Sequence, residues 1–412
     1  MSIKRSHIEL SRLSNGMRAI HIHCPGTAVA YCGVIVKVGS RNESADEYGL
    51  AHFVEHTIFK GTHRRRSNHI INRMESIGGE LNAYTTKEET VVYSVFPNGN
   101  LTRAAELIAD LLSNSCFPDS ELDKERDVVA DEIESYLDTP AEAVYDDFED
   151  LIFAGSALGH NILGSVKSLA TFDSEACRNF VGRYYCASDM VAFYSGSRPS
   201  RSVFATFERY FGQCSLRQTP QIKDTVIPAM TEPFDRCNRI HSHQTHCVSG
   251  VRIPGFLDDE RYEAVFLANL LGGPGMNSLL NVELRVRRGL VYSVDASTSL
   301  YSDCGLLTIY FGCDPHDSER CREIVGRTVS RLADTLTPTK LAAAKKQYLG
   351  QTVVASDNRE NYTLSAARSV LWRDRVISPS ETESAILTLT ADDIISVAEK
   401  LKSPSTLMFS PA

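Results

Sequence analysis

Two histidines four residues apart, His52 and His56, with Glu55 beside the second, are the residues of this 412-residue chain whose types and spacing point most directly to chemistry. On an α-helix, residues i, i+3 and i+4 share a face. All three side chains then point one way, while Leu50, Val54 and Ile58 line the opposite side. Two neutral imidazoles so placed chelate Zn²⁺, and a neighbouring carboxylate can act as a base toward water. Such a pentad arises by chance in roughly one or two chains per hundred of this length. The bland alternative is two surface histidines with a glutamate making helix-face pairs. A hydrolytic zinc site takes a third protein ligand, and the acid-dense stretch Asp119–Leu137 offers several carboxylates. Within it Glu125 and Glu132 lie seven apart on the stripe that carries Val128 and Val129. That stripe is expected to face the core, where an unpaired carboxylate is costly and a metal would relieve the cost.

The elements that must position these residues are legible as patterns. Ser44 and Glu47 offer a capping box before the histidine helix, and Gly61 offers a stop after it. Residues 8–13 and 18–23 read as strands joined by Ser14-Asn15-Gly16-Met17, a hairpin signal. The β-rich run 29–38 belongs in the middle of a sheet. Residues 80–86 and 90–96 add two strands, 70–77 and 101–115 two helices, and 190–194 a further strand. The run His63-Arg64-Arg65-Arg66 reads as a solvated loop. The second half repeats the order, with strands at 241–251, 291–299 and 306–312 and helices at 258–271, 318–336 and 339–355. Its first helix has no His-x-x-Glu-His, so a duplication of about 200 residues leaves one site. The fold expected is α+β, two duplicated α/β-sandwich domains of mostly antiparallel sheet with helices on it. Domains are expected at 1–213 and 235–412, with a linker at 214–234 that holds Pro220, Pro228 and Pro233.

Composition is ordinary for a globular protein, 42% hydrophobic and 23% charged, and the net charge of −9 argues against nucleic acid or an anionic membrane as partner. The eleven cysteines are odd in number and form no Cys-x-x-Cys pair, as expected of free thiols in a reducing compartment. No apolar run is long enough for a membrane span, and the first residues lack a signal-peptide core, so a cytoplasmic location is expected.

Five dispersed segments together resemble the pitrilysin or insulinase family of zinc metallopeptidases, in particular the bacterial relatives of mitochondrial processing peptidase. They are the runs from Gly49-Leu50-Ala51-His52 to Phe59-Lys60-Gly61-Thr62, Gly78-Gly79-Glu80-Leu81-Asn82-Ala83, Glu125-Arg126-Asp127-Val128-Val129 on to Glu132, Leu271-Gly272-Gly273-Pro274-Gly275-Met276-Asn277-Ser278, and Leu284-Arg285 through Tyr292-Ser293. The resemblance implies one zinc per chain held by His52, His56 and Glu132, with Glu55 as general base and Glu125 orienting a ligand. It implies that Arg285 and Tyr292 act on bound substrate from the second half, and that the strand bearing Asn82 and Ala83 pairs with an extended peptide. A chain of this length resembles the half-clamshell members that close by pairing two chains. Carrying both the zinc motif and the Arg/Tyr pair, it is expected to form a homodimer acting on short or unfolded peptides. Many members read Gly-Gly-Gly-Met-Ser-Ser-Arg where this chain has Gly-Gly-Pro-Gly-Met-Asn-Ser, and Leu279 stands where an arginine is common. The rival reading is a non-catalytic or partner-dependent subunit, as in members that lost a ligand or the base. A second group, His241, His243, His246 and Cys247, reads as a polar strand segment, because alternate residues of a strand face opposite ways.

Overall fold

The β-rich runs that open the chain build a mixed sheet of six strands. The computed structural model describes residues 7–214, 216, 227 and 232–412, so most of the expected linker lies outside the described residues. The strands of this sheet are β1 (His7–Arg12), β2 (Arg18–His23), β3 (Val29–Val36), β4 (Glu80–Thr85), β5 (Thr90–Pro97) and β6 (Met190–Gly196). They lie in the order β1-β2-β6-β3-β5-β4. β2 and β6 are parallel and the other neighbours antiparallel.

The helices of the first half are α1 (Leu50–Thr57), α2 (Ser67–Glu75), α3 (Leu101–Asn114), α4 (Asp119–Leu137), α5 (Pro140–Ile152), α6 (Val166–Leu169), α7 (Ser174–Tyr184) and α8 (Ser200–Tyr210). Strand alternation decides what each sheet face meets. Ala30, Cys32, Val34 and Val36 of β3 join Phe53 and Val54 of α1, Leu107 and Leu111 of α3, Phe180 of α7 and Phe207 of α8 in one core. Ile35 of β3, with Ile20 and Ile22 of β2 and Phe193 of β6, enters a core on the opposite face.

The second half supplies β7 (Asp235–Ile240), β8 (Thr245–Ile253), α9 (Arg261–Gly272), β9 (Val291–Leu300), β10 (Gly305–Cys313), α10 (Ser318–Ser330), α11 (Leu332–Thr335), α12 (Pro338–Ser356), α13 (Arg359–Arg373), α14 (Pro379–Thr388), α15 (Ala391–Lys400) and β11 (Ser405–Pro411). Its five-stranded sheet has the order β7-β11-β8-β10-β9. Only β7 and β11 are parallel. Read against β2-β6-β3-β5-β4, this is the same order with the same directions, so the expected duplication is present in the topology.

Two helices depart from the expected contiguous domains 1–213 and 235–412. The chain forms two compact units, and Ser135–Gly159 belongs to the second while Ser356–Val376 belongs to the first. The cause is uncovered sheet. Val144, Phe148 and Ile152 of α5 cover Val248, Leu306, Tyr310 and Leu407 of the second sheet. Ala366, Ala367, Val370 and Leu371 of α13 cover the outer face of the first. Each anchor is also polar: Tyr145 of α5 donates to Asp295 of β9 at 2.9 Å. Trp372 Nε1 of α13 donates to buried Glu89 at 2.6 Å.

Other expectations change locally. The expected strand 241–251 begins at Thr245, so His241 and His243 lie in the β7–β8 turn while buried His246 meets the Tyr310 hydroxyl at 2.9 Å. The helix expected over 318–336 is split into α10 and α11. The arginine run is not wholly solvated, because Arg65 pairs with Glu106 and with buried Asp110, each at 2.5 Å. Among the described residues no helix is long and apolar enough to cross a membrane.

Candidate metal centre

α1 is an eight-residue helix, too short to hold itself in isolation, and its first turn is secured from outside. The expected Ser44/Glu47 box does not cap it. Those two residues close a turn of their own, with Ser44 N donating to Glu47 Oε2 at 3.2 Å. The cap comes from Glu43, whose buried carboxylate accepts from Gly49 N at 2.9 Å and Ala51 N at 2.6 Å. Gly49 has φ +99° and lies so near the Leu163 carbonyl that a Cβ would meet it at 2.7 Å. Any side chain there would both strain the backbone and strike the neighbouring loop.

From this anchored start, α1 buries Leu50, Phe53, Val54 and, just beyond its end, Ile58, and turns His52, Glu55 and His56 to its other side. α4 approaches that side. Its Leu122, Glu125, Val129 and Ile133 are buried, whereas Val128 is 51% exposed. The buried stripe is therefore rotated from the one expected, by one residue at the valine pair. Glu125 and Glu132 nevertheless both face α1. Glu132 Oε2 lies 3.3 Å from His56 Nε2 and 3.8 Å from His52 Nε2, and one donor atom from each of the three residues falls within 4.8 Å of the others. Donors about 2.0–2.1 Å from a tetrahedral zinc lie about 3.3 Å apart. The spacing, and a donor set of two imidazoles and one carboxylate, fit zinc with a fourth position left open. Asp131 and Glu134, neighbours on α4, take no part in this group.

The surroundings set the protonation states. Burial, then the adjacent His56, push His52 down to about 3, leaving a neutral imidazole. For His56, burial pulls down but is outweighed by the Glu125 hydrogen bond and the Glu55, Glu132 and Glu125 charges, so it rises. Glu125 Oε1 lies 3.0 Å from His56 Nδ1, and its other oxygen is 2.5 Å from Lys60 Nζ. Burial raises Glu125, but His56 and Lys60 outweigh it and hold the carboxyl below its usual range. Burial pushes Glu55 up to about 7, helped by Glu132 and opposed by His56 and Thr85. Lys60 and Thr85 were not singled out from the sequence. Lys60 carried a signal in its i+4 spacing from His56, whereas Thr85, a long 3.5 Å from Glu55 Oε2, is brought near only by the sheet.

Asn82 and Ala83 lie on β4, the edge strand beside α1 in the same unit. Arg285 and Tyr292 belong to the second unit. Arg285 is exposed in a π-helical turn, Asn281–Val286, and Tyr292 is 66% exposed on the edge strand β9.

Known proteins share both the sequence and the architecture. Residues 18–166 match the profile of insulinase (peptidase family M16), and residues 171–348 match that of the peptidase M16 inactive domain. An "uncharacterized zinc protease" of Rickettsia bellii is 31% identical over 402 residues, covering 97% of this chain and 96% of that protein. One from Mycobacterium tuberculosis is 31% identical over 396 residues, 95% of this chain and 90% of that one. A protease of Helicobacter pylori superposes with a TM-score of 0.88 at 22% identity, covering 98% of this chain and all of that one. A peptidase M16 inactive domain from Pseudomonas fluorescens gives 0.89 at 15% identity, covering 98% of each chain. These two structures share the fold. With two halves of repeated topology, one zinc-type donor cluster in the first half and near-full-length similarity to zinc proteases, the chain belongs to peptidase family M16, the insulinase family.

Proposed function

We propose that this chain is a zinc-dependent endopeptidase that hydrolyses bonds in short or unfolded peptides held as an added strand along β4. The observation that carries this reading is the convergence of His52, His56 and Glu132 on one point, with Glu55 on the same helix face. Bound there, zinc would supply Lewis-acid polarisation of the scissile carbonyl. Glu55 takes a proton from the attacking water and returns it to the departing amine, and its raised proton affinity suits both transfers near neutral pH. Glu125, itself held by Lys60, fixes the ring of His56 through Nδ1 and leaves Nε2 to the metal.

Among the described residues β4 pairs with β5 alone in its sheet, so an extended peptide can add to its other edge, with Asn82 and Ala83 among the residues it meets. Backbone pairing gives affinity with little demand on side-chain identity. Arg285 holds a substrate carbonyl and Tyr292 donates to the oxyanion that develops on attack. The active form is a homodimer.

The test is mass-spectrometric mapping of cuts in a diverse peptide mixture by purified protein, with and without a zinc chelator. Cleavage that chelation abolishes and zinc restores is the expected result. Stoichiometric zinc with no cleavage of any peptide would overturn the peptidase reading in favour of a binding subunit.

A further inference from the structure

The segment Gly159-His160-Asn161-Ile162-Leu163-Gly164 has no part in the chemistry above, yet it is built into the back of the metal helix. His160 is 5% exposed, and its Nε2 lies 3.0 Å from Glu43 Oε2. That carboxylate is the same one that accepts from Gly49 N and Ala51 N at the start of α1. The ring of Tyr48 stacks on the His160 ring at 3.7 Å between centroids, nearly parallel at 9°. On the other side the His160 carbonyl accepts from the buried Lys87 ammonium. Lys87 lies in the turn between β4, which carries Asn82, Ala83 and Thr85, and β5. Backbone meets backbone alongside: Gly164 has φ +69°, and a Cβ there would fall 2.2 Å from the Tyr48 carbonyl.

His160 thus joins two structures that the proposed reaction needs in register. One is the first turn of the helix bearing His52 and Glu55, reached through Glu43. The other is the hairpin bearing the substrate strand, reached through Lys87. Glu43 satisfies the first-turn amides of Gly49 and Ala51; burial pushes its carboxyl up to about 8, opposed by those two amides and by the Lys87 charge. This cap holds the helix in one place only if Glu43 is itself held; His160 Nε2 meets Glu43 Oε2 at 3.0 Å from beyond the helix, and the Lys87 charge also favours the Glu43 carboxylate. His160 is also the first residue after the chain returns from the second unit to the first, so the same contact anchors that return. Resting on the zinc-peptidase reading above, we propose that His160 is a positioning residue that sets the metal helix against the substrate hairpin through Glu43.

The experiment measures zinc affinity by competition with a chromophoric chelator, kcat and KM at zinc saturation, and melting temperature, on the full chain. His160→Ala should weaken zinc binding roughly tenfold, in the range seen when support behind a ligand is lost. It should lower kcat at zinc saturation by a similar factor while KM stays within about twofold. His160→Gln, which can still donate to Glu43, should recover zinc affinity to within about threefold of the parent. If His160→Ala does not fold, His160→Leu, which keeps apolar contact with Tyr48 but cannot donate, takes its place with the same expected losses. A folded His160→Ala or His160→Leu protein with parental zinc affinity and kcat, whatever its melting temperature, would overturn the proposal. So would a His160→Gln variant as impaired as His160→Ala. The zinc measurement stands even if the parent cleaves no peptide, so failure of the peptidase reading and failure of this proposal are separable.

Discussion

His52 and His56 are one helical turn apart and yet shift in opposite directions, which has a consequence for metal loading. His52 is neutral at any working pH because burial and its neighbour push it to about 3. His56 is drawn above its ordinary 6.5, the three surrounding carboxylates outweighing burial. Zinc takes neutral imidazole, so loading must displace the His56 proton. Affinity is therefore full above the His56 pKa and falls as the pH drops through it, by about tenfold per pH unit once the ring is protonated. Chelator competition between about pH 8 and about pH 5.5 checks this, and an affinity that does not change over that window would refute it. Glu55 contributes no donor atom to the cluster of His52, His56 and Glu132, so Glu55→Gln should retain zinc within about threefold while kcat falls by about 10²–10⁴. Metal analysis beside a fluorogenic-peptide assay separates the two effects, and retained turnover would remove Glu55 as the base. Glu125→Ala leaves Lys60 and the His56 Nδ1 without their shared partner, and should weaken zinc binding by about 10–100-fold in the same competition assay.

At the level of elements, the exchange of α5 and α13 follows from sheet burial. A mixed sheet whose central strands are apolar on both faces must be covered on both, and the helices local to each half cover one. β6, buried along its whole length, shows how strongly the first sheet needs the second cover. α5 is tied to the second sheet by two kinds of contact. Phe148 is fully buried against it, and the Tyr145 hydroxyl meets both oxygens of Asp295 at 2.9 and 3.0 Å. Tyr145→Phe removes that donor from a half-buried carboxylate and should cost about 1.5–3 kcal/mol. Urea denaturation followed by circular dichroism measures it, and an unchanged midpoint would show that α5 is held by its apolar face alone.

For the whole molecule, the proposed homodimer predicts a mass of twice 45.6 kDa by size exclusion with light scattering, and peptidase activity that falls on dilution below the dimer dissociation constant. A monodisperse active monomer would sink it. Much of this protein was legible along the chain. The His52, Glu55 and His56 face follows from helical periodicity alone, because the three residues lie within one turn. The duplicated order of strands and helices follows from local pattern, because hydrophobic periodicity and turn residues act over a few positions. The third donor stood between: a helical stripe narrowed it to α4, and the family resemblance chose Glu132, while the position of Val128 at the surface shows how loosely a stripe fixes rotation about a helix axis. Three features were decided only by tertiary structure. Glu43 replaces the nearer Ser44 as the cap of α1, α5 and α13 cover sheets of the opposite sequence half, and His160 reaches Glu43 across 117 residues of chain. Each depends on which buried amide, apolar face or carboxylate would otherwise go unpartnered, and only the folded chain determines what is left for a distant residue to satisfy.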